Sequence, residues 1–510
     1  MTAEEQNREY LYGYREGYPN TSENMRQLDG SNGTVQNTSG NEYTNSIVSY
    51  IGRLTYNFDD RYLFTATGRY DGSSKFLDKN KWAFFPSLSA AWRFNREAFL
   101  VDYEVISDAK LFAGWGNVGN QNLPSDVYLS KLGTDYYSFD SENVSSVTGM
   151  STMKNEDIKW ETIEEFNICV EVGLFQQQLT ASFELYKKLT HDMLFQMTYP
   201  YYAGFPSWGN IWTNIGEMQA KGFDVTVNYR HDFGALHTDF GFNLSTAQMK
   251  MNKLAGTDEI LGNSWNNQNT TRMVVGDEPG YFYGYKTDGL FQNQTEVTSY
   301  TNEYGTALQQ YARPGDIRFV DVNHDGSIDS NDRVKLGSPF PDFTGGFNAN
   351  LSYKFATAGT VDFGLNLYFS YGNDVVNWLL NDKYNAAGQT NLASDALSKC
   401  WHGEGTSNYL PIISYVDNNG NYTKFSDFYV EDGSYLRLKN IQIGYSVPEQ
   451  ICQKLHINSA RFSVAGQNLH TWTKFTGVDP ETSFSPMSYG FQEFAYPMQR
   501  TWLFGLNVAF

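Results

Sequence analysis

"FNICVEVGLFQQQLTASFELY", residues 166–186, decides the fold class because both of its halves alternate strictly between apolar and polar residues. A two-residue period is typical of β-strands with one apolar face, and the glutamines between the halves suit a turn. The stretch therefore predicts a β-hairpin with one apolar face and one polar face. Its apolar positions are Phe166, Ile168, Val170, Val172, Leu174, Leu179, Ala181, Phe183 and Leu185.

The same alternation recurs along the chain, and we predict about 13 strands of this kind. Several of their apolar faces are rich in aromatic residues, and their lengths match the roughly 9–11 residues that a tilted strand needs to cross a bilayer. The further alternating segments lie near residues 46–58, 61–71, 82–94, 108–117, 223–229, 236–249, 347–355, 361–369, 433–446, 459–469 and 500–510.

Connections between these segments alternate between short and long. The short ones are 59–60, 176–178, 231–235 and 356–359, and the long ones are 119–162, 191–216, 253–343 and 373–432. Short periplasmic turns and long outer loops are typical of outer-membrane barrels, whereas a soluble β-sandwich shares the alternation but not this rhythm. The sequence therefore predicts an all-β protein, a transmembrane antiparallel β-barrel.

Composition excludes several other classes. The 37 basic and 57 acidic residues give a net charge of −20 without a basic stripe, so we expect no nucleic-acid partner. Cys169, Cys400 and Cys452 are too far apart in sequence for a zinc motif or a disulfide framework. The chain has no apolar run long enough for a membrane-spanning helix, and its first residues lack the apolar core of a signal peptide.

The strand count bears on domain organisation, because bacterial single-chain barrels have even numbers of strands. If the C-terminus is periplasmic, the first strand runs inward and residues 1–42 are an extracellular loop segment, as their polar, Gly-, Asn- and Ser-rich sequence suggests. Residues 43–510 then form the C-terminal part of a larger barrel, with a long outer loop at 253–343.

The last strand carries its own signal. In "RTWLFGLNVAF", residues 500–510, apolar side chains alternate up to a final phenylalanine. An ordinary core strand can end in the same way. The segment nevertheless resembles the terminal signal by which barrel-assembly machinery recognises outer-membrane barrels, with Gly505, Val508 and Phe510 at the matching positions.

Five further stretches make the resemblance more specific. They are "FFPSLSAAWRFNREAFL" (84–100), "KLFAGWGNVGNQN" (110–122), "GDIRFVDVNHDGSIDSNDRVKLGSPFPDFTGGFNANLSYK" (315–354), "EDGSYLRLKNIQIGYSVP" (431–448) and "ARFSVAGQNLHTWTKFTGVDPE" (460–481). In this order they resemble the SusC/RagA family of TonB-dependent (TonB-linked) outer-membrane transporters of Bacteroidetes-type bacteria.

The resemblance implies a 22-stranded barrel with an N-terminal plug, a TonB-contacting segment and a SusD-like surface lipoprotein that helps to capture glycans or peptides. This sequence departs from that pattern because we find no plug, no TonB box and no early strands in it. We therefore expect the chain to supply barrel wall and outer loops in the outer membrane, in contact with its lipid. TonB would act through the N-terminal region that is missing here. No catalytic residues are expected.

"DVNHDGSIDSND", residues 321–332, has the spacing of a helix–loop–helix calcium loop. The glycine at its sixth position permits a sharp turn, and a hard cation would hold an outer loop in one shape. The alternative is a solvated acidic turn. The candidate ligands are Asp321, Asn323, Asp325, Ser327, Asp329 and Asp332, with Ser327 contributing its backbone carbonyl and Asp329 acting through water.

The main alternative to an importer is a soluble or surface-attached, calcium-stabilised β-protein that binds or hydrolyses glycans. Trp208, Trp212 and Trp265 lie in the long connections. Tryptophans at such positions are suited either to stacking on sugars or to anchoring at a membrane interface.

Overall fold

The computed structural model describes the chain except for residues 19–21, 23–26, 32, 139–143, 199–209, 255, 389, 483–487 and 493–495. Strands dominate it, which confirms the predicted all-β class. The first strands are β1 Thr2–Arg15, β2 Gln36–Phe58, β3 Tyr62–Ser73, β4 Trp82–Arg93, β5 Ile106–Asn120, β6 Lys131–Ser138, β7 Val144–Thr152, β8 Glu161–Leu174, β9 Leu179–His191, β10 Leu194–Thr198, β11 Asn210–Asn214, β12 Glu217–Phe233, β13 Leu236–Ser245 and β14 Gln248–Lys253.

The remaining elements include most of the short ones. The strands are β15 Glu259–Leu261, β16 Ser264–Trp265, β17 Gln268–Asn269, β18 Thr271–Val274, β19 Tyr281–Tyr285, β20 Thr287–Leu290, β21 Ile317–Phe319, β22 Arg333–Gly337, β23 Phe343–Phe355, β24 Gly359–Tyr371, β25 Asp374–Asn377, β26 Val430–Asp432, β27 Tyr435–Ser446, β28 Ser459–Thr473, β29 Phe491–Gln492 and β30 Thr501–Ala509. The helices are α1 Gln294–Ser299, α2 Leu379–Tyr384, α3 Ala396–Lys399 and α4 Glu449–Lys454.

One antiparallel sheet of 15 strands, here called the wall, organises the chain. Its strands follow the order β1-β2-β3-β4-β5-β8-β9-β12-β13-β23-β24-β27-β28-β30, and β14 extends it by pairing with β12. Every alternating segment predicted from the sequence overlaps a strand of the wall. Among the described residues no ladder joins β30 to β1, so the wall has two edges.

The hairpin predicted from residues 166–186 is formed by β8 and β9, which pair from Leu174 and Leu179 up to Thr162 and His191. The turn between them places the backbone of Phe175, Gln176 and Gln177 in the left-handed region, with φ of 52°, 58° and 66°. The predicted hairpin is therefore confirmed, and its register keeps both apolar sets on one side of the sheet.

Residues 1–42, predicted as a polar loop segment, contain regular strands. β1 pairs with residues 36–49 of β2, whereas β3 pairs with residues 47–58 of the same strand. The β1–β2 hairpin therefore projects beyond the end of β3 as a two-stranded ladder. Its side chains are polar or exposed on both faces, and this is why the sequence shows no period-two signal there.

The wall has two chemically different faces. Its apolar face, which carries Phe166, Ile168, Phe183 and Leu185, leaves these large side chains exposed. Its polar face carries the alternate residues of the same strands, such as Asn167 and Glu184, which are joined by a 2.6 Å hydrogen bond. Within the described residues, every helix is too short or too polar to cross a bilayer.

The long connections at one end of the wall, here called the loop end, fold into a substructure with its own core. Short sheets form from β15, β18, β19 and β22, from β20 and β21, and from β25, β26 and β29. The 253–343 segment, predicted as a long outer loop, thus contains ordered strands and α1. Buried residues of the 253–343 segment pack with those of 373–432 and with Phe491 in one hydrophobic cluster.

Candidate functional site

An aromatic cluster centred on Trp378 fixes the loop-end substructure. Trp265 meets Trp378 edge-on with ring centroids 4.4 Å apart, and Tyr429 lies 5.3 Å from the same indole. Phe425 and Phe491 complete the cluster. Such pairs contribute about 0.5–1.5 kcal/mol each beyond the burial of area. Trp265 therefore packs in a core here instead of presenting an open face to a sugar.

The other two tryptophans named from the sequence have different outcomes. Trp212 is partly buried against a second cluster, which includes Phe76, Phe85 and Trp160. Trp208 lies outside the described residues. The sugar-stacking interpretation thus finds no exposed tryptophan platform among the described members of this set.

A buried amide network ties β21 to the 417–421 turn. Asn421 accepts a 2.8 Å hydrogen bond from the backbone N–H of Ile317 and donates one of 2.8 Å to Asp316. Asn419 and Gln309 both donate to the carbonyl of Ile317. Burial raises the pKa of Asp316 above its usual range, although the hydrogen bond from Asn421 opposes that shift. The network joins segments about 100 residues apart into one rigid unit.

The acidic loop 321–332 closes on itself through its carboxylates. Asp332 is fully buried and accepts from the backbone N–H groups of Val322, Asn323 and Asp329. Hydrogen bonds from Ser327 and then Asn323 lower the pKa of the Asp325 carboxyl. The buried carboxylate of Asp332, at the twelfth position, therefore holds the two ends of the loop together through hydrogen bonds.

Asp321 is the loop residue whose carboxylate can still accept a further ligand. Its Oδ2 accepts a 2.9 Å hydrogen bond from the N–H of Gly326, whereas its Oδ1 is buried without a hydrogen-bond partner among the described residues. Gly326 has φ of 86° and His324 has φ of 59°, which produce the sharp turn expected from the spacing. Within the described part of the chain, no group of three or more His, Cys, Asp or Glu side chains is already gathered as a metal site.

The polar face of the wall carries a stripe of amides that was not among the residues predicted from the sequence. Asn348 pairs with Asn366, Asn366 with Asn440 and Asn440 with Gln467, so four neighbouring strands present an amide at the same rung. Together with Asn350 and Gln442 on the next rung, most of this stripe lines a groove of about 450 Å³. Uncharged amides both donate and accept, which suits hydroxyl- and amide-bearing solutes.

The amide stripe was detectable in the sequence. Asn348, Asn350 and Asn366 occupy the polar positions of the segments that predicted β23 and β24. The register that aligns these amides could not be predicted from the sequence, because the strands that carry the stripe are spread over more than 100 residues.

The three residues of the predicted terminal signal lie at the wall's last strand. Gly505 faces Ser463 on β28, so close that a Cβ on the glycine would lie 2.6 Å from the serine Oγ. Val508 pairs with Ala460, and Phe510 follows the end of β30 with 89% of its surface exposed. Their role in recognition stays a prediction.

A large antiparallel sheet with an exposed aromatic-rich face and a polar opposite face defines a β-barrel wall of the outer-membrane type. Comparison with known proteins agrees with that class. The family described as "TonB dependent receptor-like, beta-barrel" matches residues 2–366. The chain belongs to this TonB-dependent receptor family and is an outer-membrane protein.

Individual relatives support the assignment. TonB-dependent receptor P3 of Formosa agariphila is 34% identical over 506 residues, covering 95% of this chain and 47% of that protein. TonB-dependent receptor SusC of Bacteroides thetaiotaomicron is 29% identical over 483 residues, covering 91% of this chain and 44% of that protein. The chain thus spans about half the length of these curated relatives.

Solved structures show the same fold. A structure of the RagAB peptide importer in the closed-closed state superposes with a TM-score of 0.78 at 20% identity, covering 100% of this chain and 53% of that chain. The RagAB importer in the open-open state gives a TM-score of 0.76 at 21% identity, over 100% of this chain and 54% of that chain. The relatives and solved structures named here are described as receptors and importers.

Proposed function

We propose that this chain supplies barrel wall and outer loops of a TonB-dependent importer that carries oligosaccharides across the outer membrane and is itself not an enzyme. The observation that carries the proposal is the amide stripe on the polar face, formed by Asn348, Asn366, Asn440 and Gln467. Sugar hydroxyls both donate and accept hydrogen bonds, as do carboxamides, and no charge has to be stripped of water when they meet.

Peptides are the second candidate cargo. The specific observation that favours them is the likeness to RagAB, whose solved structures are described as those of a peptide importer. Peptide bonds also pair with carboxamides, so the amide stripe suits an uncharged backbone as well. Since that likeness rests on 20–22% identity, it supports the fold more directly than the cargo.

The proposed assembly needs further parts. The two open edges of the wall would leave unpaired backbone groups in lipid, where each costs several kcal/mol, so we propose that further barrel strands cover them. A SusD-like surface lipoprotein over the loop end, TonB on the inner side and the barrel-assembly machinery during insertion are the proposed protein partners. The soluble or surface-attached alternative is set aside, because the family resides in the outer membrane.

We also propose a structural Ca²⁺ in loop 321–332. Support comes from the buried Oδ1 of Asp321, which finds no hydrogen-bond partner in the described part of the chain, while the hydrogen bond between Oδ2 and Gly326 holds the carboxylate in place. Asn323, Asp325, the carbonyl of Ser327 and Asp332 would complete an oxygen ligand set, with Asp329 acting through water. The ion would stiffen the loop end and take no part in moving cargo.

The cargo is tested in cells that carry the complete transporter gene, a deletion of it, or an N366L/N440L variant. Uptake of fluorescent oligosaccharides is compared with that of fluorescent oligopeptides. We expect the deletion to abolish oligosaccharide uptake and the double variant to reduce it. N167L, which removes a polar-face amide on β8, several strands away from the stripe and on another rung, is the control. Loss of peptide uptake alone would establish the second candidate, and unchanged uptake of both probes in the deletion would overturn the import proposal.

A further inference from the structure

One row of cross-strand partners on the apolar face of the wall, here called a rung, changes from apolar to basic residues along its length. It starts on β2 at Leu54 and ends on β14 at Gln248. The full run is Leu54, Ala66, Leu88, Trp115, Phe166, Lys187, Lys221 and Gln248, each paired with the next across neighbouring strands. Its first part is apolar and its last part is basic and polar. Since all of these residues share one side of the sheet, the transition lies on the surface that faces lipid.

The basic part is a lysine patch formed by Lys187, Lys221 and Lys250. Lys187 and Lys221 are direct cross-strand partners, and Lys250 pairs with Gln219, one further rung towards the loop end. None of the three forms an ion pair with a described residue, although the chain as a whole carries a net charge of −20. Like charges placed directly opposite each other destabilise a sheet, so the patch favours an anion between them.

The position of the patch fits a bilayer interface. Leu185 and Phe223, a paired rung immediately below it, belong to the apolar face. A lysine on the lipid side of a barrel is strongly destabilising at the bilayer midplane but is tolerated near the interface. Lysine stems can lie along apolar surface while the ammonium group reaches the headgroup layer. The patch therefore sits at the depth of lipid headgroups on the loop side.

An apolar trough adjoins the patch. Its floor is made of Ala66, Ala90 and Ala113, and the larger side chains around them enclose about 370 Å³. Phe166 lines this trough and also the neighbouring groove of about 860 Å³ that contains Lys187 and Lys221. A molecule that extends from one to the other thus meets alkyl surface at one end and ammonium groups at the other.

We propose that this surface binds a phosphorylated glycolipid of the outer leaflet, with its phosphate at the lysine patch and an acyl chain in the trough. The groove also contains Asp277, Glu278 and Asp342. Glu278 is already paired with Lys335, at 3.3 Å. Hydroxyls of a sugar headgroup can donate to the remaining carboxylates, which a simple phosphate ion cannot do as well. The proposal rests on the outer-membrane location and is independent of the imported cargo.

The test is native mass spectrometry of the complete transporter, purified in detergent and titrated with bisphosphorylated lipid A or with the same lipid after enzymatic dephosphorylation. Each of the two lysines near an anionic headgroup contributes about 1 kcal/mol, so we expect K187Q/K221Q to weaken lipid A binding about 30-fold. K188Q is the matched control, because Lys188 is the next residue on β9, faces the other side and is paired with Glu165.

Two further measurements, on a trough variant and with inorganic phosphate as competitor, distinguish binding of the whole lipid from binding of its phosphate alone. A90W, which fills the trough without changing charge, is expected to weaken lipid A binding and carries the test if the double lysine variant does not assemble. Inorganic phosphate at 10 mM is expected to leave lipid A bound. Displacement by phosphate, equal binding of the dephosphorylated lipid, or wild-type binding by both K187Q/K221Q and A90W would each overturn the proposal.

Discussion

Arg437 on β27 donates a 2.5 Å hydrogen bond from Nη2 to Asp479, although its side chain is almost completely buried. The same guanidinium donates from Nη1 to Glu481 at 2.7 Å and from Nε to Thr471 at 2.9 Å. A fixed planar group with partners on three sides anchors the 479–481 segment to the loop end of β27 and β28.

Removal of Asp479 should therefore release that segment. In D479A the buried guanidinium loses one of its two carboxylates, and breaking a buried ion pair costs roughly 3–5 kcal/mol. We expect faster amide hydrogen exchange in residues 474–481, measured by mass spectrometry. K474A is the control, because Lys474 is highly exposed and an exposed pair contributes about 0–1 kcal/mol. Equal exchange in the two variants would show that Arg437 does not hold the segment.

Calcium should protect loop 321–332 from proteases. The buried Oδ1 of Asp321 has no described hydrogen-bond partner, so removing a bound cation should leave that oxygen unsatisfied and open the turn. We expect limited proteolysis to cut wild type within the loop in EGTA and to spare it in 1 mM CaCl₂. D321A should be cut in both conditions.

The control for this prediction is D258A, because Asp258 is an exposed acid of the same connection and lies outside the loop. It should behave as wild type. Cleavage of the wild-type loop at the same rate with and without calcium would contradict the proposed site.

Whether a segment's structure could be predicted from the sequence depends on whether its apolar and polar residues alternate regularly. Wall strands such as β8 and β23 separate lipid from a polar interior, and that separation imprints a two-residue alternation over ten or more residues. Their positions could therefore be predicted from sequence. The same alternation also predicts which residues lie on the polar face, including the amides of Asn348 and Asn366.

The 253–343 and 373–432 segments of the loop end could not be predicted in the same way, because their strands are only two to five residues long and too short for a period to appear. They are held by contacts distant in sequence, such as the hydrogen bond between Asn421 and Asp316 and the packing of Trp265 on Trp378. Hydrophobic composition alone does not say which distant aromatic meets which. The spacing of residues 321–332 did predict a sharp turn, but ligand occupancy is a separate question.

The contact between Asp427 and Thr287 should be pH-dependent. Burial raises the pKa of Asp427 above its usual range, although hydrogen bonds from the N–H and hydroxyl of Thr287 oppose the shift. The folded state therefore holds the proton more tightly than the unfolded state. The stability from this group is fully present below the unfolded pKa and is lost as the pH rises through the folded value.

We expect the protection of the Thr287 amide, corrected for intrinsic exchange, to fall as the pH is raised from 4 towards neutrality. D427N keeps an oxygen for Thr287 but cannot ionise, so its protection should change much less over that range. D288N, which neutralises an exposed neighbouring acid, should retain the wild-type dependence. A D427N profile as steep as that of wild type would assign the effect to another group.

Substitution of Phe510 allows recognition during assembly to be separated from stability after assembly. Phe510 follows the last residue of β30 and is 89% exposed, so F510A should cost the folded wall little. If the terminal signal read from Gly505, Val508 and Phe510 is used, F510A should still lower the amount of folded protein in the outer membrane several-fold. The measurement is the heat-modifiable band in purified outer membranes.

F504A is the matched control, since Phe504 lies on the apolar face of the same strand and is 79% exposed. It removes the same ring from a position outside the signal and should leave the band nearly unchanged. Because neither ring is packed in the folded wall, a deficit confined to F510A has to arise before the strand is in place. Equal bands for the two variants would exclude Phe510 from the signal.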